Sequence, residues 1–385
     1  MNTRRLRDSA MSHNLARPKR RVQSLQPQGE QCGVHPPTYE PLGLESTDSD
    51  RLPAMEHIAL GRSGLRVSRL CLGTMTFGYQ CDEAQSFAIL DEAFDSGITF
   101  LDAADHYPIG DERARGRTEQ IIGNWMRDRG RRDDVVLGTK FALPMGSNPW
   151  DRGGSRRHVM DAIDNSLRRL GTDYVDVYQM HFPDDHTPIE ETLQALDDCV
   201  KQGKVRYLGC SNFSAWQLAR ANGAASTLGL HRFEVIQPRY NLLFRAYERD
   251  LFDLCALDDI AVTPYNPLAG GLLTGKHSKA SGPQDGTRFA LGSAGQPYMR
   301  RYWNEPEFET ITELSAIASA AGIGMVELSI AWVLANPAVT SPIIGASKPE
   351  QLGAALAALE IDLDDETLAR VDELTKPYRL VELVL

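Results

Sequence analysis

The chain has no run of roughly 18 or more consecutive apolar residues, so nothing in it is expected to cross a bilayer. It also lacks an excess of positive charge. Its 41 Lys and Arg stand against 52 Asp and Glu, and the net of −11 over 385 residues argues against nucleic acid or an anionic membrane as a partner. The cysteines Cys32, Cys71, Cys81, Cys199, Cys210 and Cys255 are scattered with no Cys-x-x-Cys pair. That spacing offers no structural zinc site, predicts no bound metal, and suits a reduced, cytoplasmic protein. Missing too is the Gly-x-Gly-x-x-Gly fingerprint that opens a dinucleotide-binding open sheet, which Leu72-Gly73-Thr74-Met75-Thr76-Phe77-Gly78 does not fit.

Residues 1–54 lack apolar runs longer than two residues and hold eight basic and six acidic side chains with several prolines. Such a segment cannot bury enough surface to offset its ordering entropy, so it is expected to be a disordered extension. Its arginines resemble a targeting n-region, but no apolar stretch of about 7–15 residues follows, which argues against a secretory signal. The small excess of bases is too weak for a nucleic-acid arm. A new register opens at Met55, and residues 55–385 are read as one folded domain.

From there the chain alternates. His57–Leu60 and Val67–Leu70 read as a hairpin across Ser63-Gly64. Strands follow at about Leu70–Thr74, Ile98–Asp102, Val135–Lys140, Tyr174–His181, Val205–Cys210, Glu234–Gln237, Ile260–Pro264 and Ser341–Ile344. Helical periods separate them. Phe87, Leu90, Ala93 and Phe94 mark one over Glu83–Ser96, Thr118 opens the next, and Ser155 caps a third. Later helices are placed at Glu190–Gln202, Ala215 onward, Tyr247–Leu257, Glu307–Ala321 and Val326–Ala335, and two more follow the last strand. Residues 277–305 read as a long loop that could serve as a lid. Eight strands alternating with helices imply parallel pairing through right-handed crossovers. The expected fold is α/β, a (β/α)8 TIM barrel with an N-terminal hairpin plugging its mouth and helices at its C-terminus.

That architecture gathers chemistry on one rim. The central run Ile98-Thr99-Phe100-Leu101-Asp102 delivers Asp102 to a strand tip with Tyr107 in the loop beyond, the third strand stops at Lys140, and the fourth stops at His181. A carboxylate, a phenol, an ammonium and an imidazole then share one end of a barrel, which is a proton-transfer device.

These residues carry a resemblance to the aldo-keto reductases. It covers about residues 55–375, and within that superfamily the chain resembles the branch with potassium-channel β subunits and bacterial sugar or pyridoxal reductases. The motifs are Leu72-Gly73-Thr74-Met75, Phe100-Leu101-Asp102-Ala103-Ala104 with Tyr107, Thr139-Lys140, Met180-His181 and Gly209-Cys210-Ser211-Asn212-Phe213. Further on come Tyr265-Asn266-Pro267-Leu268 with Gly271-Leu272-Leu273-Thr274-Gly275-Lys276, and Ile343-Ile344-Gly345-Ala346-Ser347 with Gln351-Leu352. Each is weak alone, and together, in order, they are specific.

The resemblance implies an NADPH-dependent oxidoreductase that reduces an aldehyde or ketone to the alcohol. Tyr107 is then the proton donor, Lys140 the cation that lowers its pKa, Asp102 the group that orients the lysine, and His181 the partner of the substrate oxygen. Gly73, Thr74, Met75 and Asp102 are implied beside the cofactor, NADPH or NADP+. Ser211, Asn212 and Gln237 are implied at the nicotinamide carboxamide, and Tyr265 against its ring. Asn266 and Pro267 are implied beside the cofactor, and Leu268, Gly271 and Lys276 as its pyrophosphate strap. Arg288, Gly345, Ser347 and Gln351, with Lys348, are implied at the adenosine 2′-phosphate. The chain departs from the pattern where Gly353-Ala354-Ala355 replaces polar adenine contacts and where Gly270 stands in place of an arginine. The alternative it leaves open is a cofactor-binding, redox-sensing module of the kind the channel β subunits suggest. The resemblance leaves the substrate and oligomeric state open, beyond a small-molecule carbonyl with no nucleic acid and no membrane as partner.

Overall fold

The computed structural model describes residues 55–380, which begin with an antiparallel hairpin of β1 (His57–Ala59) and β2 (Arg66–Ser68). The Leu60 N–H donates to the Leu65 carbonyl across the turn at 2.8 Å. The expectations for residues 1–54, and for the domain boundary at 55, fall on or against residues outside those described.

Seven of the barrel's eight strands follow with helices between them: β3 (Cys71–Gly73), α1 (Glu83–Asp95), β4 (Phe100–Asp102), α2 (Arg117–Arg129), β5 (Val136–Phe141), α3 (Arg156–Leu170), β6 (Val175–Met180), α4 (Ile189–Lys201), β7 (Val205–Ser211), α5 (Ala215–Leu228), β8 (Phe233–Gln237), α6 (Leu251–Asp258) and β9 (Ala261–Val262). After them come α7 (Gly292–Tyr302), α8 (Glu305–Ala320), α9 (Met325–Ala335), β10 (Ile343–Gly345), α10 (Leu352–Ala357) and α11 (Asp365–Thr375). The strands pair in parallel in the order β10-β3-β4-β5-β6-β7-β8-β9. Parallel bridges Val262↔Val339 and Tyr265↔Ile343, with Ile343 N–H on the Pro264 carbonyl at 2.8 Å, bring the two ends together. The fold is the expected (β/α)8 barrel.

Strand alternation explains which side chains reach the interior. Along β5, Lys140 points into the barrel, whereas Thr139 and Phe141 point out toward the helices, because successive side chains take opposite faces. Leu60 and Val67 of the hairpin segment join Phe100, Val177, Val235, Ala261 and Ile343, most of them near strand starts, in one buried cluster. The hairpin therefore plugs the N-terminal mouth, and the C-terminal rim is left for chemistry. No single helix among the described residues is long and apolar enough to cross a membrane.

Three sequence expectations change. Helix α2 starts at Arg117 behind Gly116, which adopts φ 84°, and Thr118 does not cap it. Its hydroxyl instead donates to the Phe77 carbonyl at 2.9 Å. The predicted helix over Tyr247–Leu257 breaks at Asp250 into a 3-10 turn and α6. Residues 277–305 are not a loop throughout, since they contain a 3-10 turn at Arg288–Ala290 and helix α7. Two glycines and Pro297 hide α7 from propensity, and packing supplies what propensity lacks. Ala294, Gly295 and Tyr302 are buried, and a Cβ on Gly295 would lie 2.8 Å from the carbonyls of Arg288 and Phe289.

Candidate active site

At the C-terminal rim Gly345, Gly73, Asp102 and Gly138 fall in register across four adjacent strands. Three of the four have no side chain; Gly73 and Gly138 are buried, and Gly345 is exposed. A Cβ on Gly73 would meet Ile343 Cγ2 at 2.6 Å, so the Ile343 side chain already fills that position and a larger residue there would force it to shift. Thr74 closes the strand end, its N–H and hydroxyl both donating to the Asp102 carbonyl at 3.1 and 2.8 Å, while Met75 is partly exposed.

Lys140 is wholly buried, and its ammonium carries three donors. All three find acceptors: Asp102 Oδ2 at 2.6 Å, the Ala103 carbonyl at 2.8 Å and the Tyr107 hydroxyl at 3.4 Å. Burial works to discharge the lysine. The carboxylate of Asp102 and the phenol of Tyr107 more than offset it, so the ammonium is held above its ordinary value. The other oxygen of Asp102 accepts from Gln237 Nε2 at 2.8 Å and Gln179 Nε2 at 3.4 Å.

Tyr107 is 7 % exposed. Burial raises its pKa, and the charge of Lys140 is the chief opposing influence. The expected lowering by the lysine is therefore present but does not win, because desolvation of a phenolate is larger. Tyr107 stays protonated. Its oxygen accepts from the ammonium, which leaves its own O–H to donate elsewhere.

His181 lies edge-on to Tyr107 with ring centroids 5.7 Å apart and stacks on Phe182 at 5.3 Å. Burial, then Lys140 and His106, hold it well below the usual histidine range. It is neutral, so one nitrogen can donate to an oxygen, and its Nδ1 has no hydrogen-bond partner among the described residues. The backbone fixes it, with His181 N–H on the Phe141 carbonyl at 2.9 Å and Asn212 Nδ2 on the His181 carbonyl at 2.9 Å.

Further around the rim, Asn212 has φ 62° and also donates to Ser211 Oγ at 3.0 Å, while Ser211 Oγ donates to the Gln237 carbonyl at 2.8 Å. Tyr265 donates its hydroxyl to Asn212 Oδ1 at 2.9 Å, and burial raises its phenol. Ser211, Asn212, Gln237 and Tyr265 thus form one connected wall. Beyond it Asn266 turns the chain at φ 65° and accepts from Gly270 N–H at 2.5 Å. Pro267 is buried, Leu268 partly so, and Gly270 and Gly271 take φ 71° and 100°. Lys276 is exposed at the end of this strap. An arginine at Gly270 would be strained by that φ and would strike Tyr298 Cδ1, 2.6 Å from a built Cβ.

The last group is looser. Ser347 donates through N–H and Oγ to Gln351 Oε1 at 2.8 and 3.3 Å, and Lys348 is exposed beside them. Arg288 lies over the Tyr298 ring at 5.4 Å. Cys81, which follows β3 in the chain, adjoins this group. Its thiol donates to the Ser347 carbonyl at 3.6 Å, and although burial pushes that thiol up, the charge of Arg288 is among the influences pulling it down.

Sequence reading missed Gln179, and it assigned Gln237 to a cofactor contact without seeing its amide on Asp102. A polar side chain two residues before His181, at an inward position of an apolar strand, was the available signal for Gln179. It also passed over Asp105, which is fully buried with neither carboxyl oxygen partnered among the described residues. Burial, then the carboxylate of Glu119, raises Asp105 well above the usual range. Glu119 itself accepts from Thr139 Oγ1 and Arg169 Nε, each at 2.6 Å. A raised folded pKa means stability present below the unfolded value near 3.9 and lost as pH rises toward the folded one. Asp105→Asn removes that dependence, so the gap in urea midpoint between variant and wild type is expected to widen in the variant's favour from pH 5 to pH 8. A constant gap would mean that Asp105 is already ionised in the native barrel at pH 5.

The sequence profile of the Aldo/keto reductase family matches residues 69–376. The chain is 40% identical over 326 residues to the uncharacterized oxidoreductase YrpG of Bacillus subtilis, spanning 83% of this chain and 96% of that protein. It is 40% identical over 310 residues to a probable voltage-gated potassium channel subunit beta of Oryza sativa, spanning 80% and 92%. With the versiconal hemiacetal acetate reductase of Aspergillus parasiticus it shares 31% over 348 residues, spanning 84% and 97%.

Proposed function

The chain belongs to the aldo/keto reductase family, an oxidoreductase family, and on that premise we propose that it is a cytoplasmic NADPH-dependent carbonyl reductase with Tyr107 as proton donor. The observation that carries this reading is the saturated ammonium of Lys140, bound at once to Asp102, Ala103 and Tyr107 inside the barrel. Bound NADP(H) would supply the hydride, which leaves charge on the carbonyl oxygen for the protein to neutralise.

The residues fit such a cofactor. The exposed backbone at Gly345, the wall of Ser211, Asn212 and Tyr265, and the left-handed bend at Gly270-Gly271 provide backbone and polar groups where a dinucleotide would lie. Gln237, Asn266, Pro267, Leu268 and Lys276 extend that track, and Arg288, Gly345, Ser347 and Gln351 are proposed at the 2′-phosphate.

In the proposed reaction Tyr107 gives its proton to the developing alkoxide, and Lys140 stabilises the phenolate that results. Asp102, held by Gln237 and Gln179, keeps the lysine in place. His181, neutral, donates to the same substrate oxygen and sets its angle. The substrate is a small aldehyde or ketone.

Steady NADPH consumption at 340 nm across an aldehyde panel tests the proposal. Many turnovers per barrel are expected, and one slow oxidation without turnover would favour a redox-sensing module instead. Cofactor preference has its own test. Arg288→Ala is expected to raise the NADPH dissociation constant about tenfold or more, as loss of a hydrogen bond to a charged group does, with little change for NADH. Equal weakening of both would place Arg288 away from the 2′-phosphate.

A further inference from the structure

His277 follows Lys276 at the end of the strap and is 8 % exposed, yet neither ring nitrogen has a hydrogen-bond partner among the described residues. A neutral imidazole has one donor and one acceptor, and leaving either buried and unmet costs about 1–3 kcal/mol. Such a group in a native fold calls for an explanation, and a missing ligand is one. Burial, then the charge of Lys276, lowers its pKa, so the ring is neutral and presents one N–H.

Two directions around the ring are apolar. Phe289 stands edge-on at 5.2 Å and Trp303 at 5.5 Å, and these two rings lie 4.8 Å apart. The third direction faces the strap. The Nε2 atom lies 3.9 Å from where a Cβ on Gly271 would sit, and it is the sole atom within 4 Å of that position outside the adjoining residues. Gly271 has φ 100°, so its backbone is turned open at this point. The same bend is clamped from above. Tyr298 packs on Gly270, and the Tyr302 hydroxyl accepts from Asn266 Nδ2 at 3.0 Å and Asn241 Nδ2 at 3.1 Å.

We infer that His277 is a binding residue for the cofactor's pyrophosphate, its unpartnered Nε2 turned toward the backbone bend at Gly271 along which that group would run. This rests on the proposal that NADP(H) runs along the strap. It adds to it a ring donor held edge-on by Phe289 and Trp303, so that a phosphate met by His277 is coupled to the 288–303 segment. Lys276, exposed beside it, supplies charge, and His277 supplies a fixed direction.

The test uses NADP+ titrated into the full chain by quenching of tryptophan fluorescence, since Trp303 adjoins the ring. His277→Phe keeps an aromatic ring against Phe289 and Trp303 but removes both nitrogens, and its dissociation constant for NADP+ is expected to rise about tenfold or more. His277→Gln restores a donor and is expected to recover most of that loss. Adenosine 2′-monophosphate, which has no pyrophosphate, is expected to bind wild type and the Phe variant alike. Equal NADP+ affinity in wild type and His277→Phe overturns the inference while leaving the cofactor proposal standing, and so does an equal loss for adenosine 2′-monophosphate. Absence of NADP+ binding by the wild type itself overturns both.

Discussion

Tyr107→Phe is expected to leave a folded barrel that binds NADPH and reduces its substrates about 10²–10⁴-fold more slowly, the range that positioned acid–base groups contribute. The substitution removes one oxygen. The ring keeps its edge-on contact with His181, and Lys140 keeps Asp102 and the Ala103 carbonyl, so the loss falls on the transition state rather than the fold. It is read as a fall in kcat with the NADPH dissociation constant unchanged. Near-normal turnover in a folded, cofactor-loaded Phe variant would mean that another rim group gives the proton.

Lys140→Met is expected to act on both rate and stability. Methionine approximates the volume of the side chain but leaves the Asp102 carboxylate without its cation inside the barrel, and breaking a buried pair by removing one partner costs about 3–5 kcal/mol. The double variant Asp102→Asn with Lys140→Met is expected to regain stability without regaining rate, which separates the two effects. The sign of the pH response follows from the phenol. Burial already raises Tyr107 and Lys140 is the main influence holding it down, so losing the lysine moves it higher still. Reduction needs the phenol protonated, so the alkaline fall in residual kcat is expected to shift to higher pH in Lys140→Met. A shift to lower pH, or none, would mean that Lys140 does not tune the acid.

The positions of Asp102, Lys140 and His181 were legible because strand period and strand ends are local properties. An apolar run of fixed period, stopped by a polar residue, states both the strand and the rim on which its last side chain stands. The hairpin plug was legible for the same reason. Contacts between strands were not. Nothing near Gln237 in the chain announces that its amide reaches Asp102, 135 positions earlier, and nothing near Gln179 announces the same, since only barrel closure brings them together. The net balance on Tyr107 was not legible for a related reason. The cation beside it is a strand-end feature, but the depth of burial that outweighs it belongs to the whole rim. Helix α7 was hidden by its own glycines and proline and exists through packing on Phe289 and Gly270. His277 reads as one more loop polar residue until its two empty nitrogens are seen against the strap.

The most direct measurement of the central claim follows an isotope. Wild-type protein is given an accepted aldehyde and NADPH deuterated at C4 of the nicotinamide on the transferred face, and the alcohol is analysed by mass and NMR. Direct reduction at the rim is expected to yield many alcohols per barrel, each with one deuterium on the carbinol carbon and a hydroxyl proton from solvent by way of Tyr107. Alcohol without deuterium, or no more than one equivalent of alcohol per barrel, would contradict the account.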